Sequence, residues 1–154
     1  MIKKLNLPEY NFRLKTEDKK TKIFDSIRRK YIVLTPEEWV RQNLIQYLIQ
    51  EKNYPAGLIG VEKSLVQNGL KRRSDIILFD RNQKAQLLVE CKAPDIPITQ
   101  ATFDQISRYN IHYKVPFLLI SNGLQHYVCQ INFKTQASIF LSEVPDYHQL
   151  LQID

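Results

Sequence analysis

Asp75, Glu90 and Lys92 are the residues whose types and spacing point most directly to chemistry. They sit in two short apolar runs, Ser74-Asp75-Ile76-Ile77-Leu78-Phe79 and Leu87-Leu88-Val89-Glu90-Cys91-Lys92-Ala93-Pro94. Runs this rich in Ile, Leu, Val and Phe predict buried strands. Side chains alternate along a strand, so Glu90 and Lys92 share one face while Val89 and Cys91 take the other. A carboxylate and an ammonium on a buried strand are costly unless paired with each other or with a metal. If the two strands are neighbours, Asp75 reaches the same patch. Two hard oxygen donors and an amine would then surround one point, a set suited to Mg²⁺ and to activating water. The competing structural reading is a simple Glu90–Lys92 pair near a strand end.

The elements needed to position these groups are legible on either side. Thr35-Pro36-Glu37-Glu38 starts a helix, with Thr as N-cap, Pro in the first turn and acids near the positive end of the dipole. Val40, Leu44, Tyr47 and Leu48 continue it to about Lys52. Three strands follow, at about Leu58 to Val66, Asp75 to Phe79 and Gln86 to Lys92, with turns at Gln67-Asn68-Gly69 and Asp80-Arg81-Asn82. Thr99 caps a second helix through Ala101, Phe103, Ile106 and Tyr109 to about Tyr113. Strands at Pro116 to Ser121 and Leu124 to Ile131 flank the turn signal Asn122-Gly123. A short strand at Ser138 to Leu141 and a helical turn near Tyr147 to Leu151 finish the chain. A three-strand meander followed by a helical crossover implies an α/β fold, an α+β mixed sheet with helices on its faces. Residues 1–34, polar and irregular, read as an N-terminal arm that adds a short strand at Tyr31-Ile32-Val33-Leu34, leaving 35–154 as a single domain.

Composition is that of an ordinary globular protein: 154 residues, 44% apolar and 25% charged. The net charge of +6 suits an anionic partner such as DNA or RNA. Part of that excess lies in Lys3, Lys4, Lys15, Lys19, Lys20, Lys22, Arg28, Arg29 and Lys30, where a solvated face is the plainer explanation. Cys91 and Cys129 fall in apolar runs with neither metal spacing nor a disulfide pattern. Met1 to Phe12 lacks a signal-peptide core, no run reaches membrane-spanning length, and the expected compartment is the cytoplasm. His112, His126 and His148 are scattered without ligand spacing.

Order and motifs together resemble the PD-(D/E)XK nuclease superfamily, with its αβββαβ restriction-endonuclease-like core. Asp75 matches the first acid, preceded by Ser74 in place of proline, and Glu90-Cys91-Lys92 matches ExK in full. Gln105-Ile106-Ser107-Arg108-Tyr109 matches the QxxxY motif of one branch. Within the superfamily, Thr35-Pro36-Glu37-Glu38-Trp39-Val40-Arg41-Gln42, Arg72-Arg73-Ser74-Asp75-Ile76-Ile77 and Ser121-Asn122-Gly123 resemble the nuclease domain of type I restriction enzyme R subunits, over about Thr35 to Ile131.

The resemblance implies a Mg²⁺-dependent DNA nuclease, an endonuclease of weak intrinsic sequence specificity, with Mn²⁺ as a possible substitute. Asp75, Glu90 and the main-chain carbonyl of Cys91 would hold the metal, and Lys92 would position or deprotonate water. A first-helix acid, Glu37 or Glu38, would assist, Glu37 being favoured because it shares a face with Val40, Arg41, Leu44 and Leu48. Gln105 and Tyr109, on one helix face, would orient the substrate strand or Lys92; packing and backbone capping explain them equally well. Arg72, Arg73 and Arg108 would contact phosphates. Without a G-x-x-x-x-G-K-[ST] loop the chain reads either as a stand-alone nuclease domain or as part of a system whose motor or specificity subunit is a separate chain, and a homodimer is compatible with double-strand cutting. The alternative is a nucleic-acid-binding module that keeps the fold with little or no activity.

Overall fold

The computed structural model describes residues 2–152. The described residues form two sheets, three α-helices and a 3-10 turn at Ala56–Leu58. Strands β1 (Leu14–Glu17), β2 (Lys20–Asp25) and β3 (Lys30–Val33) form an antiparallel meander. Helix α1 (Pro36–Gln50) leads to β4 (Ile59–Gln67), β5 (Leu70–Phe79) and β6 (Ala85–Cys91), and α2 (Gln100–Tyr113) crosses to β7 (Phe117–Ser121). Strands β8 (His126–Asn132) and β9 (Ala137–Leu141) then precede α3 (Tyr147–Gln152). The second sheet runs β4-β5-β6-β7-β8-β9, antiparallel except for the β6–β7 pair that α2 connects. This is the αβββαβ order read from the sequence, a mixed sheet with helices on its faces.

Strand alternation divides the core into two layers. Ile76, Leu78, Leu87, Val89, Cys91 and Leu119 face α1, where Val40, Leu44, Ile45 and Leu48 cover them. Ile77, Leu88, Leu118, Ile120 and Cys129 face α2, where Phe103 and Ile106 close the second layer. Each fully buried aliphatic side chain contributes about 1.5–3 kcal/mol of transfer free energy, so the two helices are fixed by the sheet and not by their own propensity. Both begin as their sequences require: Thr35 Oγ1 accepts from the Glu38 N–H at 3.0 Å, and Thr99 Oγ1 from the Thr102 N–H at 3.1 Å. Among the described residues no helix is long and apolar enough to cross a membrane.

The N-terminal region differs from its sequence reading. A single short strand is expected there, and three form. Alternation is masked because half of the residues of β1 and β2 are charged, and the turn at Asp18 and Lys19 uses positive φ without glycine. Only Ile23 and Asp25 of this sheet are buried.

The Asn122-Gly123 turn ties the N-terminal segment to the main sheet. Gly123 has φ +85°, its carbonyl accepts from the Asn6 N–H at 2.8 Å, and a Cβ there would stand 2.7 Å from Leu5. Gly123→Ala is therefore expected to lower stability by more than about 1 kcal/mol. A urea-unfolding midpoint equal to that of the unsubstituted protein would contradict this.

Candidate active site

The sheet parts at Asp75. Pairing of β4 with β5 skips the Glu62/Asp75 position, between Val61↔Ile76 and Lys63↔Ser74. Pairing of β5 with β6 stops at Ile76↔Val89. The Cys91 N–H, which would otherwise continue the ladder, donates to Asp75 Oδ2 at 2.7 Å. Asp75 is thus a polar plug in the gap. Glu62, opposite it, has φ +53°, a left-handed conformation that costs a side-chain-bearing residue about 1 kcal/mol or more.

An ion-pair network holds the gap open. Arg41 of α1 donates from Nη2 to Asp75 Oδ1 at 2.9 Å and from Nη1 to Glu38 Oε1 at 3.1 Å, and also lies 3.3 Å from Glu62 Oε1. Arg28, in the β2–β3 turn, donates to Asp25 at 2.7 Å, to Glu62 at 3.1 Å and to Glu38 at 3.2 Å. Gln42 donates to both Asp25 and Glu38. Arg73 reaches Glu62 at 2.8 Å. The network joins the small sheet, α1 and the main sheet at one place. Its arginines carry most of the signal that the sequence reading missed. The clue available was an arginine three residues after Glu38 on an otherwise apolar helix face.

Glu90 and Lys92 lie on the α2 side of β6, as strand parity requires. With Gln105, Ile106, Tyr109 and His112 they line a cleft of about 410 Å³. Arg108 borders an adjoining opening together with Gln105 and Tyr109. The ExK and QxxxY residues are therefore brought together. Asp75 is not among the residues lining that cleft; it stands at the strand gap beside it. Arg73 is exposed apart from its contact with Glu62, and the side chain of Arg72 lies outside the described residues.

The two first-helix acids separate clearly. Glu38 is the inward one, buried and bound by Arg28, Arg41 and Gln42, although the helical spacing favours Glu37. Glu37 is exposed and faces the site's charges. Partial burial and the negative charge of Asp75 raise its carboxyl above the ordinary value, against the opposing pull of Arg41 and Lys92. Burial and Asp75 likewise push the Cys91 thiol well up, so it remains a neutral core group. Only the main-chain carbonyl of Cys91 is a plausible oxygen donor.

Whether this set fits Mg²⁺ can be tested on its donors. Asp75, Glu90, Glu37 and the Cys91 carbonyl are hard oxygens, the kind Mg²⁺ takes. Among the described residues, however, no three Asp, Glu, His or Cys side chains converge closely enough to hold one ion. Both Asp75 oxygens are already engaged, one of them by Arg41. The donor chemistry fits, and the Arg41–Asp75 pair is what a cation would have to displace.

The buried end of the network carries a pH dependence. Burial alone would raise the Asp25 carboxyl, but the backbone N–H and guanidinium of Arg28 and the amide of Gln42 outweigh it and hold the pKa below its usual value. A depressed carboxylate contributes stability that is full above the unfolded pKa and is lost as pH falls through the folded one. Asp25→Asn is expected to cost about 3 kcal/mol at neutral pH and to flatten the acid limb of stability against pH. An unchanged acid limb in denaturant titrations would contradict the assignment.

Comparison with known proteins agrees with this architecture. The family described as type I restriction enzyme R protein N terminus matches residues 36–145. A solved fragment named as an HsdR subunit of a type I restriction enzyme from Vibrio vulnificus YJ016 superposes with a TM-score of 0.55 at 20% identity, covering 77% of this chain and 25% of that one. At that identity the likeness shows the fold, and this chain spans about a quarter of the Vibrio protein's fragment. None of the curated proteins is similar enough to match. The family match covers α1, strands β4 to β9 with the ExK strand among them, and the QxxxY helix α2, and the chain belongs to the type I restriction enzyme R protein N-terminal family.

Proposed function

We propose that this domain is a Mg²⁺-dependent DNA nuclease, an endonuclease with weak intrinsic sequence specificity, acting through Asp75, Glu90 and Lys92. The observation that carries the reading is the cleft in which Glu90, Lys92, Gln105 and Tyr109 meet, beside a carboxylate that Arg41 holds at a break in the sheet. A half-buried lysine and acid on one strand face, open to a cleft, are placed for acid–base work on a bound polyanion.

Asp75, Glu90 and the Cys91 carbonyl would hold the metal, with Glu37 as the additional acid from α1. When bound, Mg²⁺, or Mn²⁺ in its place, would supply Lewis-acid polarisation of the phosphate and a more acidic water. The Lys92 ammonium would orient the attacking water or stabilise negative charge growing on the phosphate oxygens. Gln105 and Tyr109, on the exposed side of α2, would position the strand in the cleft. Arg73 and Arg108, with Arg72, would contribute backbone affinity that is independent of sequence and falls with salt. A separate motor or specificity subunit would deliver the DNA, and a homodimer would allow both strands to be cut.

A second reading has its own support. Arg41 neutralises Asp75, and among the described residues no three acids are placed to hold one metal ion, which suits a DNA-binding module without catalysis. Cleavage of linear and circular DNA in Mg²⁺, Mn²⁺ or chelator separates the two. Lys92→Ala and Asp75→Ala are each expected to lower the metal-dependent rate at least about 100-fold, Lys92→Ala without loss of stability. Cutting by either variant at the unsubstituted rate would refute the assignment. DNA binding with no cleavage under any metal would establish the binding module instead.

A further inference from the structure

The charge of the chain is segregated. Ten of its 22 Lys and Arg residues and four of its 16 Asp and Glu residues fall in residues 1–34. That segment therefore carries +6, and the other 120 residues, with twelve of each sign, carry none. The strand register shows where part of this charge stands. Ile23, Leu14 and Ile32 pair across β1–β3 on the inner face, with Asp25. The opposite face presents Lys15, Glu17, Lys20, Lys22, Phe24, Tyr31 and Val33, and Arg13 joins it through its backbone bond to Phe24. Four cations meet a single carboxylate.

Two of those cations are held upright by the sheet. The Arg13 guanidinium lies 3.9 Å above the Phe24 ring and the Lys15 ammonium 4.2 Å above Tyr31. The two rings pack edge to face at 5.2 Å. With cations on their faces these rings are not open for base stacking; they act as posts that fix charged heads in place and reduce the entropy lost on binding. On this face Lys20 has no carboxylate partner among the described ion pairs, while Lys15 and Lys22 share Glu17. A groove of about 580 Å³, lined by Lys20, Val33, Thr35 and Trp39 among others, runs beside this face. The β2–β3 turn at the end of this sheet is tied to the site's acids by Arg28, which binds Glu62 and Glu38 next to Arg41.

We infer that the outer face of the β1–β3 sheet is a second contact surface for nucleic acid, binding the phosphate backbone of the polymer whose other segment lies at the cleft. Fixed cations in repeated strand positions, four against the single carboxylate of Glu17, which pairs with Lys15 at 2.9 Å and Lys22 at 2.8 Å, leave the face net positive and suit a regular polyanion read by charge alone. The inference deepens the proposed function and rests on it for the polymer's identity.

The test is fluorescence anisotropy with a labelled duplex in chelator, where nothing is cut, across a salt series. Its variant is Lys15→Gln/Lys20→Gln/Lys22→Gln in the full chain. Loss of three phosphate contacts should make the slope of log K against log salt shallower by about 2 to 3. Binding at low salt should weaken at least 10-fold. Thermal stability and the rate on saturating DNA should be unchanged, since none of the three lysines touches the cleft. The matching Lys→Arg variant should retain the unsubstituted slope, which separates charge from packing. An unchanged slope and affinity in the Gln variant would overturn the inference, as would equal weakening in the Arg variant. Cleavage lost everywhere while the slope difference persists would count against the nuclease reading alone.

Discussion

The Arg41–Asp75 ion pair is the contact on which the site depends. Arg41 is nearly buried, and a buried guanidinium is tolerable only with carboxylates around it. Glu38, Glu62 and Asp75 supply them from three elements, α1, β4 and β5. One positive charge thereby fixes the helix over the strands, at the position where the strands cease to pair. Even so, the Arg41 Nε finds no partner, so the cluster is not fully satisfied as it stands. Arg28 repeats the device one layer out and draws the small N-terminal sheet onto the same acids.

Opening a sheet in its middle exposes backbone groups that must be bonded elsewhere. Here a side chain does the work: Asp75 takes the Cys91 N–H, and Glu62 accepts a left-handed backbone while three guanidinium groups hold its carboxylate. The result is a wedge of polar atoms between two apolar layers. Asp75 stands at this strand gap, outside the cleft that Glu90 and Lys92 line, with its two oxygens engaged by Arg41 and the Cys91 N–H. Stability and the proposed chemistry therefore draw on the same acids, so a cation entering the site competes with an internal one.

Much of this was legible in the chain. Thr35-Pro36 and Thr99 marked the starts of α1 and α2, and apolar runs marked the buried strands of the main sheet, whereas the charged first half of β5, from Leu70 to Ser74, carries no such run and extends the strand beyond the expected start at Asp75. Strand parity alone placed Glu90 and Lys92 on a common face, and helical spacing placed Gln105 with Tyr109. What was hidden depended on partners far along the chain. Glu37 and Glu38 occupy adjacent helical positions, and only the arginines arriving from residues 28 and 41 decide which turns inward. The β1–β3 meander was hidden for the opposite reason: it buries almost nothing, so its sequence carries charge in place of alternation. Asp75 as a plug between strands could not be read locally, since it follows from two registers failing at one residue.

The most direct measurement is anomalous scattering from crystals grown with Mn²⁺. The account expects one peak, with oxygens of Asp75 and Glu90 and the Cys91 carbonyl about 2.1–2.2 Å away, and with Arg41 released from Asp75. An absent peak, or one elsewhere with the Arg41–Asp75 pair intact at saturating metal, would contradict it.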